Sequence, residues 1–363
     1  MDSIFHIDSY DYQLPEAQIA QEPTECRDGS RLLVVDGVAG ITADSKFADL
    51  PSLIRPEDIL VLNDTKVFPA RLLGRKESGG QAELLLLHYP DSGGGESESF
   101  SFLDDHQAEV RGLVKSSKRP KAGSRLLFGT DLSADVLAIL DNGEVQVLLR
   151  WQGDLDEVLN RYGVMPLPPY IRRDQGEAES DRERYQTIYA RTSGAIAAPT
   201  AGLHFSDQLL AEIKGQGTQL TEVTLHVGYG TFAPVRAVDV RDHLIHAEYV
   251  TVSETAVQAI LRAQQAGGRV WAVGTTSARA LEFASVSGRL EAVSGWCSLY
   301  IYPGYTFRVV DNLITNFHLP KSSLLFMVSA FAGYDQVMTA YRQALALGYR
   351  FYSYGDAMAL VRK

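Results

Sequence analysis

Cysteine is almost missing from this chain. Only Cys26 and Cys297 occur, far apart and outside any CxxC or three-cysteine cluster, and no His/Cys spacing suits zinc. That argues against iron–sulfur radical chemistry and against a structural zinc. The opening residues Met1 to His6 form no basic region, the first Arg or Lys being Arg27, and no apolar stretch follows them. A secretory leader is therefore not expected, and the expectation is a cytoplasmic protein. The longest apolar run, Leu324 to Phe331 and interrupted by Ser329, falls far short of the roughly 18 residues of a membrane span, so no membrane partner is expected. Positive charge is scarce too: 34 Lys and Arg stand against 45 Asp and Glu, for a net charge of −11. A protein that coats nucleic acid non-specifically draws on clustered cations, so any RNA must be met locally. The stretch His226 to Gly230 lacks the third glycine of a dinucleotide fingerprint, and no phosphate-binding loop ends in Gly-Lys-Ser/Thr. A standard dinucleotide or nucleoside-triphosphate enzyme is disfavoured.

What is present suits two domains, since 363 residues exceed the usual single-domain size. Residues 31–36 and 59–62 are short apolar runs bounded by polar turns, as buried strands are, with a plausible short helix over Phe47 to Ile54 between them. From about Pro69 to Arg150 the runs are strand-length and separated by Gly-Gly, Lys-Ala-Gly and Asp-Asn-Gly turn signals, which reads as a small all-β barrel or sandwich. Beyond Pro169, strands and helices alternate. Ser206 caps a helix that stops at Gly215, Ser253 caps one to about Ala266, and Gly274 to Ser277 leads from a strand into another through Ser285. Such alternation implies parallel strands. The predicted fold class is α/β: a mixed α/β main domain over residues 1–68 and 152–363, with a small all-β barrel inserted at 69–151. Ser92 to Ser99 reads as a mobile loop.

Five clusters combine glycine, proline and polar residues more densely than packing requires. They are Asn63 to Arg71, which holds Asp64 and Thr65; Ala198 to Phe205, with Thr200, Gly202 and His204; Thr224 to Phe232, with His226, Gly228, Gly230 and Thr231; His243 to Glu248, with His246; and Thr315 to Pro320, with Asn316 and His318. Five of the eight histidines fall in them, and imidazole titrates near neutrality. Each is open to a structural reading as a satisfied core histidine. His243 and His246, with Glu248 close behind, lack the further ligand of a zinc set, and acid–base or orienting roles are favoured over metal binding. Gly274-Thr275-Thr276-Ser277 exposes N–H groups at a helix start, where a carboxylate or phosphate binds, though Thr and Ser also cap helices for structural reasons alone.

Between Arg111 and Arg125 stand six basic residues and no acidic one, including Lys115, Lys118, Arg119 and Lys121. The run is either a solvated loop or a phosphate-contacting patch, and Arg71, Arg75 and Lys76 in the same region favour the second.

These clusters, together with Met165 to Ile171, Tyr185-Gln186-Thr187, Ile301 to Tyr305 and Tyr354 to Met358, resemble in order the motif set of the S-adenosylmethionine:tRNA ribosyltransferase-isomerase family of queuosine biosynthesis. The likeness runs from Asp11 to Met358. Cys297-Ser298 stand where the family pattern has a Thr-Asp pair, and Ile245 where Met is usual. The resemblance implies an α/β domain with an inserted β-barrel and a monomer that needs no metal or organic cofactor. S-Adenosylmethionine is then consumed as a substrate, its ribosyl group transferred and isomerised onto 7-aminomethyl-7-deazaguanine at the tRNA wobble position. Epoxyqueuosine forms, and adenine and methionine leave. Under that chemistry His226, His243 and His246 take acid–base roles and Glu248 orients one of the pair. Asp356 or Asp64 meets the cationic sulfonium or amine, and the Gly274 to Ser277 turn holds the donor carboxylate. Two rivals remain, a methyltransferase using the same donor and a non-catalytic tRNA-binding module. Missing Rossmann glycines weigh against the first, and the density of His, Asp and Gly in the α/β part against the second.

Overall fold

The computed structural model describes residues 2–36, 38–89, 100–141, 143–173, 176, 178, 180–232 and 234–362. The Ser92 to Ser99 stretch lies outside them.

A nine-stranded sheet forms the larger part of the molecule. At its centre Gln219–Leu225, Ile59–Asn63, Val270–Val273 and Asn312–Asn316 lie side by side and parallel, as strand and helix alternation predicts. Three of these four are buried at every position, the pattern of strands covered on both faces. Successive side chains point to opposite faces, so Ile59 and Val61 pack into one core with helices Glu254–Gln265, Gly274–Phe283, Ser323–Ala332 and Tyr334–Ala346. Leu60 and Leu62 pack on the other side with Phe47, Leu50, Leu209 and Ile213. The helix starts at Ser206 and Ser253 are as read: each hydroxyl accepts the N–H three residues on, at 3.1 Å.

The flanks of the sheet carry antiparallel pairs, which the alternation did not announce, although Arg31–Asp36 lies parallel to Ala357–Val361. Gly40–Lys46 returns alongside Arg31–Asp36 after too few residues for a crossover. Glu248–Val252, Val293–Cys297 and Ala357–Val361 also run against a neighbour. The segment Phe47–Leu53 is a 3-10 helix with Pro51 inside it, where an α-helix would lose a backbone donor.

Six strands, Arg71–Lys76, Gln81–Leu86, Gln107–Ser116, Val145–Trp151, Leu132–Ile139 and Arg125–Leu127, close into an antiparallel barrel in that spatial order. Leu84 and Leu86 point inward with Leu72, Val110, Val136 and Val147, while Glu83 alternates outward. Helix Leu155–Tyr162 packs Val158 and Leu159 into the same barrel core, beyond the residue-151 limit drawn from sequence.

Candidate active site

The four central parallel strands end together. Asp64 and Thr65 follow Ile59–Asn63, His226 follows Gln219–Leu225, Gly274 follows Val270–Val273, and His318 stands just beyond Asn312–Asn316. Ligands of open α/β sheets bind in the crevice outside such carboxyl ends. A cleft opens there, lined among others by Thr200, Gly230, Thr231, His243, His246, Glu248, Thr275, Thr276, Asn316 and His318. A second cavity adjoins it, sharing Val227 and Glu248, and takes in His226 and Gly228 together with Leu87, His88 and Tyr89 of the barrel.

Gly274 adopts φ +86°, a left-handed turn that glycine tolerates, and the helix over Gly274–Phe283 begins without any side-chain cap. Gly274, Thr275 and Thr276 line the cleft at this helix start, where the first N–H groups lack intrahelical partners. The Thr276 hydroxyl is buried with no hydrogen-bond partner among the described residues, an arrangement suited to a ligand. Ser277 departs from expectation: its hydroxyl donates back to the Val273 carbonyl at 2.7 Å, and the residue does not line the cleft.

Glu248 does not orient a histidine. Its carboxylate accepts from the Gly228 N–H at 2.9 Å and the Thr231 hydroxyl at 3.3 Å, and pairs with the Arg279 guanidinium at 2.5 Å. Arg279 was missed in the sequence, although a buried arginine within a helix calls for a carboxylate partner. It also donates to the carbonyls of Leu299, Cys297 and His246, which ties the His243–Glu248 segment to the helix.

The histidines divide by environment. His204 and His318 are buried, and desolvation lowers both to about 3, so they are neutral near pH 7 and cannot serve there as general acids. Asn316 Nδ2 also faces the Tyr352 carbonyl, which fixes it as a donor, so His204 Nε2 accepts from it at 3.0 Å and Nδ1–H donates to Ser30 Oγ. Thr200 donates to Asn316 Oδ1 at 2.8 Å, so His204 positions the cleft wall from behind. His318 is held by Thr315 Oγ1 at 2.9 Å. His243 is half-buried with its pKa lowered by desolvation and then by His246, whereas His246 is exposed. His226 Nδ1 meets Thr65 Oγ1 at 2.8 Å. The His226 ring fits because residue 194 is glycine: a Cβ there would come within 2.5 Å of it.

Several expected residues line neither cavity. Asp356 is buried and spends its two carboxylate oxygens on the N–H groups of Arg31 and Arg350. Asp64 is buried beneath Arg191, Thr192 and Thr224. Buried carboxylates are stable only when so paired, and neither is placed to meet a ligand cation. Arg71 pairs with Glu83 on the barrel wall at 2.8 Å. Phe205 is a core ring edge-on to Phe47, and Gly202 is the close approach to Tyr189, whose hydroxyl a Cβ would meet at 2.1 Å. Lys115, Lys118, Arg119 and Lys121 are exposed at and after the end of Gln107–Ser116, on a loop joining two barrel strands, while Arg125 pairs with Asp135. Tyr170, Tyr300 and Tyr352 complete the cleft; Tyr170 stands in a stretch that carried the resemblance, and nothing in periodicity marks the other two. Cys297 is buried and its thiol is pushed up by desolvation. Among the described residues no three of His, Cys, Asp and Glu gather as a metal site would require, and no helix is long and apolar enough to cross a membrane.

An α/β layer with an inserted barrel, and two adjoining cavities at its strand ends, is the build of an enzyme that brings two substrates together. The chain belongs to the family described as queuosine biosynthesis protein, whose model matches residues 7–360. It is 48% identical over 358 residues to a protein of Desulfotalea psychrophila named S-adenosylmethionine:tRNA ribosyltransferase-isomerase, covering 98% of this chain and 97% of that one. A protein of the same name from Nitratidesulfovibrio vulgaris is 50% identical over 364 residues, again covering 98% and 97%. The crystal structure of S-adenosylmethionine tRNA ribosyltransferase from Thermotoga maritima superposes with a TM-score of 0.54 at 33% identity, covering 97% of this chain and all of that one.

Proposed function

We propose that this protein is a tRNA-modifying transferase-isomerase. It moves the ribosyl group of S-adenosylmethionine onto the aminomethyl group of 7-aminomethyl-7-deazaguanine at the tRNA wobble position and isomerises it. Epoxyqueuosine results, with adenine and methionine released. The observation that carries the reading is one cleft holding an uncapped helix start, the unpartnered Thr276 hydroxyl and the His243/His246 imidazoles, beside a second cavity at the barrel seam. The Gly274–Thr276 turn binds the methionine carboxylate of the donor. His243 and His246 lie where a base can take the proton next to the sulfonium and an acid can assist the departure of adenine; His226 is the third acid–base candidate. Glu248 lines both cavities, so its partly neutralised carboxylate is the one nearest the sulfonium and the incoming amine. Bound substrates exclude water from the cleft, which strengthens each of these interactions.

The proposal calls for no metal and no organic cofactor, since the sulfonium activates its own ribose. On this reading the protein acts in the cytoplasm, as a monomer. The test is product analysis with tRNA carrying 7-aminomethyl-7-deazaguanine. Adenine and methionine are expected; S-adenosylhomocysteine would instead mark a methyltransferase, and no tRNA-dependent consumption of the donor would mark a binding module.

A further inference from the structure

The second cavity lies at the seam between the two parts of the molecule, with barrel residues 87–89 on one side and Gly194, His226, Tyr249 and Trp296 on the other. Its wall is a set of rings. Trp296 stands edge-on to Tyr249 with centroids 5.5 Å apart and to His88 at 5.8 Å. Rings so arranged offer faces on which a nucleobase stacks. The Trp296 Nε1–H is buried without a hydrogen-bond partner among the described residues, and Trp296 lines this cavity. Indole nitrogens in protein interiors normally find an acceptor, so an orphan donor at a cavity wall points to a ligand acceptor. His88 is driven down to about 4 by burial and then by Arg111, and so presents an uncharged ring near neutral pH.

We propose that this cavity receives the wobble base of the RNA, turned out of its stack against the Trp296, Tyr249 and His88 rings, with the Trp296 indole N–H donating to the carbonyl of the base. The assignment rests on the function proposed above and divides the two cavities between the two substrates. The donor's carboxylate needs the helix start, which only the first cavity offers, whereas the RNA must come in past the barrel, whose loop carries the basic run. The shared Glu248 marks where the aminomethyl arm of the base crosses toward the donor, and His226, on the base side with its ring fixed by Thr65, stands beside that arm. Flipping a base into an aromatic pocket is how enzymes reach atoms that stacking hides.

The test uses the full-length protein and an anticodon stem-loop with fluorescent 2-aminopurine at the wobble position, beside the same stem-loop carrying 7-aminomethyl-7-deazaguanine. Stacking in the cavity quenches the probe. Trp296→Ala should remove the quenching and weaken binding of the modified stem-loop on the order of 5- to 150-fold, the range of one lost base stack. Trp296→Phe keeps a ring and loses the donor, so quenching should persist while affinity falls roughly 2- to 10-fold. Both variants should bind S-adenosylmethionine as the wild type does, which also shows that they are folded. Unchanged RNA affinity and quenching in Trp296→Ala, or loss of donor binding in place of RNA binding, overturns the assignment. The parent reading fails separately: wild-type protein that quenches the probe yet releases no adenine keeps the base site and loses the proposed reaction.

Discussion

Arg279 and Glu248 meet at 2.5 Å where the two cavities join, each with less than a tenth of its side chain exposed. The guanidinium reaches from the core helix and the carboxylate from the strand that follows the His243/His246 segment, so the pair joins the helix begun at Gly274 to the candidate acid–base groups. Removing one partner leaves the other charge buried and alone, which is destabilising by about 3–5 kcal/mol. Arg279→Met should therefore lower the unfolding free energy from urea titration by that measure, and Glu248→Gln/Arg279→Met should recover part of the loss. A double variant that loses the full sum of the single effects would show that the two residues act independently.

The unpartnered Thr276 hydroxyl supplies a sharper test of the donor site. Deleting a buried hydroxyl that bonds nothing in the free protein should leave stability unchanged or slightly raised. Thr276→Val should keep the wild-type melting temperature yet bind S-adenosylmethionine less tightly, and Thr275→Ala/Thr276→Ala should lose about 1.5–3 kcal/mol of donor affinity. Affinity for RNA should not move. Equal loss of both affinities contradicts the placement of the carboxylate at this turn.

His204 and His318 give the fold an acid weakness. Both are held at about 3 in the folded state, against about 6.5 unfolded. Between those values the unfolded chain binds a proton on each that the native state refuses, so stability rises with pH through the window and is lost as pH falls below about 6.5. The slope from one such group is about 1.4 kcal/mol per pH unit at most. Replacing His204 by Gln should flatten the stability profile between about pH 5 and 6.5 by up to that amount. Urea unfolding at several pH values checks it, and parallel profiles for the two proteins would refute the burial argument.

His226, His243 and His246 are the acid–base candidates of the proposed reaction. General acid–base help is typically worth about 10²- to 10⁴-fold, so His226→Ala or His246→Ala should slow adenine release by that order while circular dichroism and melting remain those of the wild type. His243→Ala makes the useful comparison, because its ring packs edge-on to Tyr300 at 5.4 Å. Turnover within a few-fold of wild type in all three variants would move the acid–base work to Glu248.

Local sequence signals led to the architecture because burial and turns leave strong local marks. Continuous apolar runs such as Ile59 to Leu62 and Val270–Val273 are what a strand buried on both faces requires, and Ser206 and Ser253 cap the helices they precede. The candidate clusters follow the same logic, since strand ends are where chemistry gathers in a parallel sheet. Three-dimensional convergence is not local. Nothing near Asp356 reveals that two backbone N–H groups consume its carboxylate, nor does the sequence around Trp296 show that its indole faces His88 across the barrel seam. Strand Arg71–Lys76 escaped reading because Gly74 and its charges blur the alternation, and Glu248 was assigned to a neighbour in sequence when its partner Arg279 is a neighbour in space.

The basic loop does not stand at the cleft. Gly112 pairs with Leu86, next to the seam segment, whereas Ser116 pairs with Ala82 and opens the loop. Four residues of strand separate them, about 14 Å along the barrel before Lys118, Arg119 and Lys121 are reached. Screening at physiological salt limits each charge to about 8 Å, so this loop cannot act electrostatically on the reacting groups, and the overall charge of −11 cannot act strongly on the loop. Its expected role is to hold RNA phosphates away from the wobble base. Lys118→Ala/Arg119→Ala/Lys121→Ala should raise the KM for tRNA, leave that for S-adenosylmethionine unchanged, and leave the rate at saturating tRNA near wild type. It should also flatten the dependence of log affinity on log salt by up to about 2–3 units, since each phosphate contact contributes somewhat less than one. An unchanged salt slope would make the run a solvated loop and assign the grip on RNA to other surfaces of the chain.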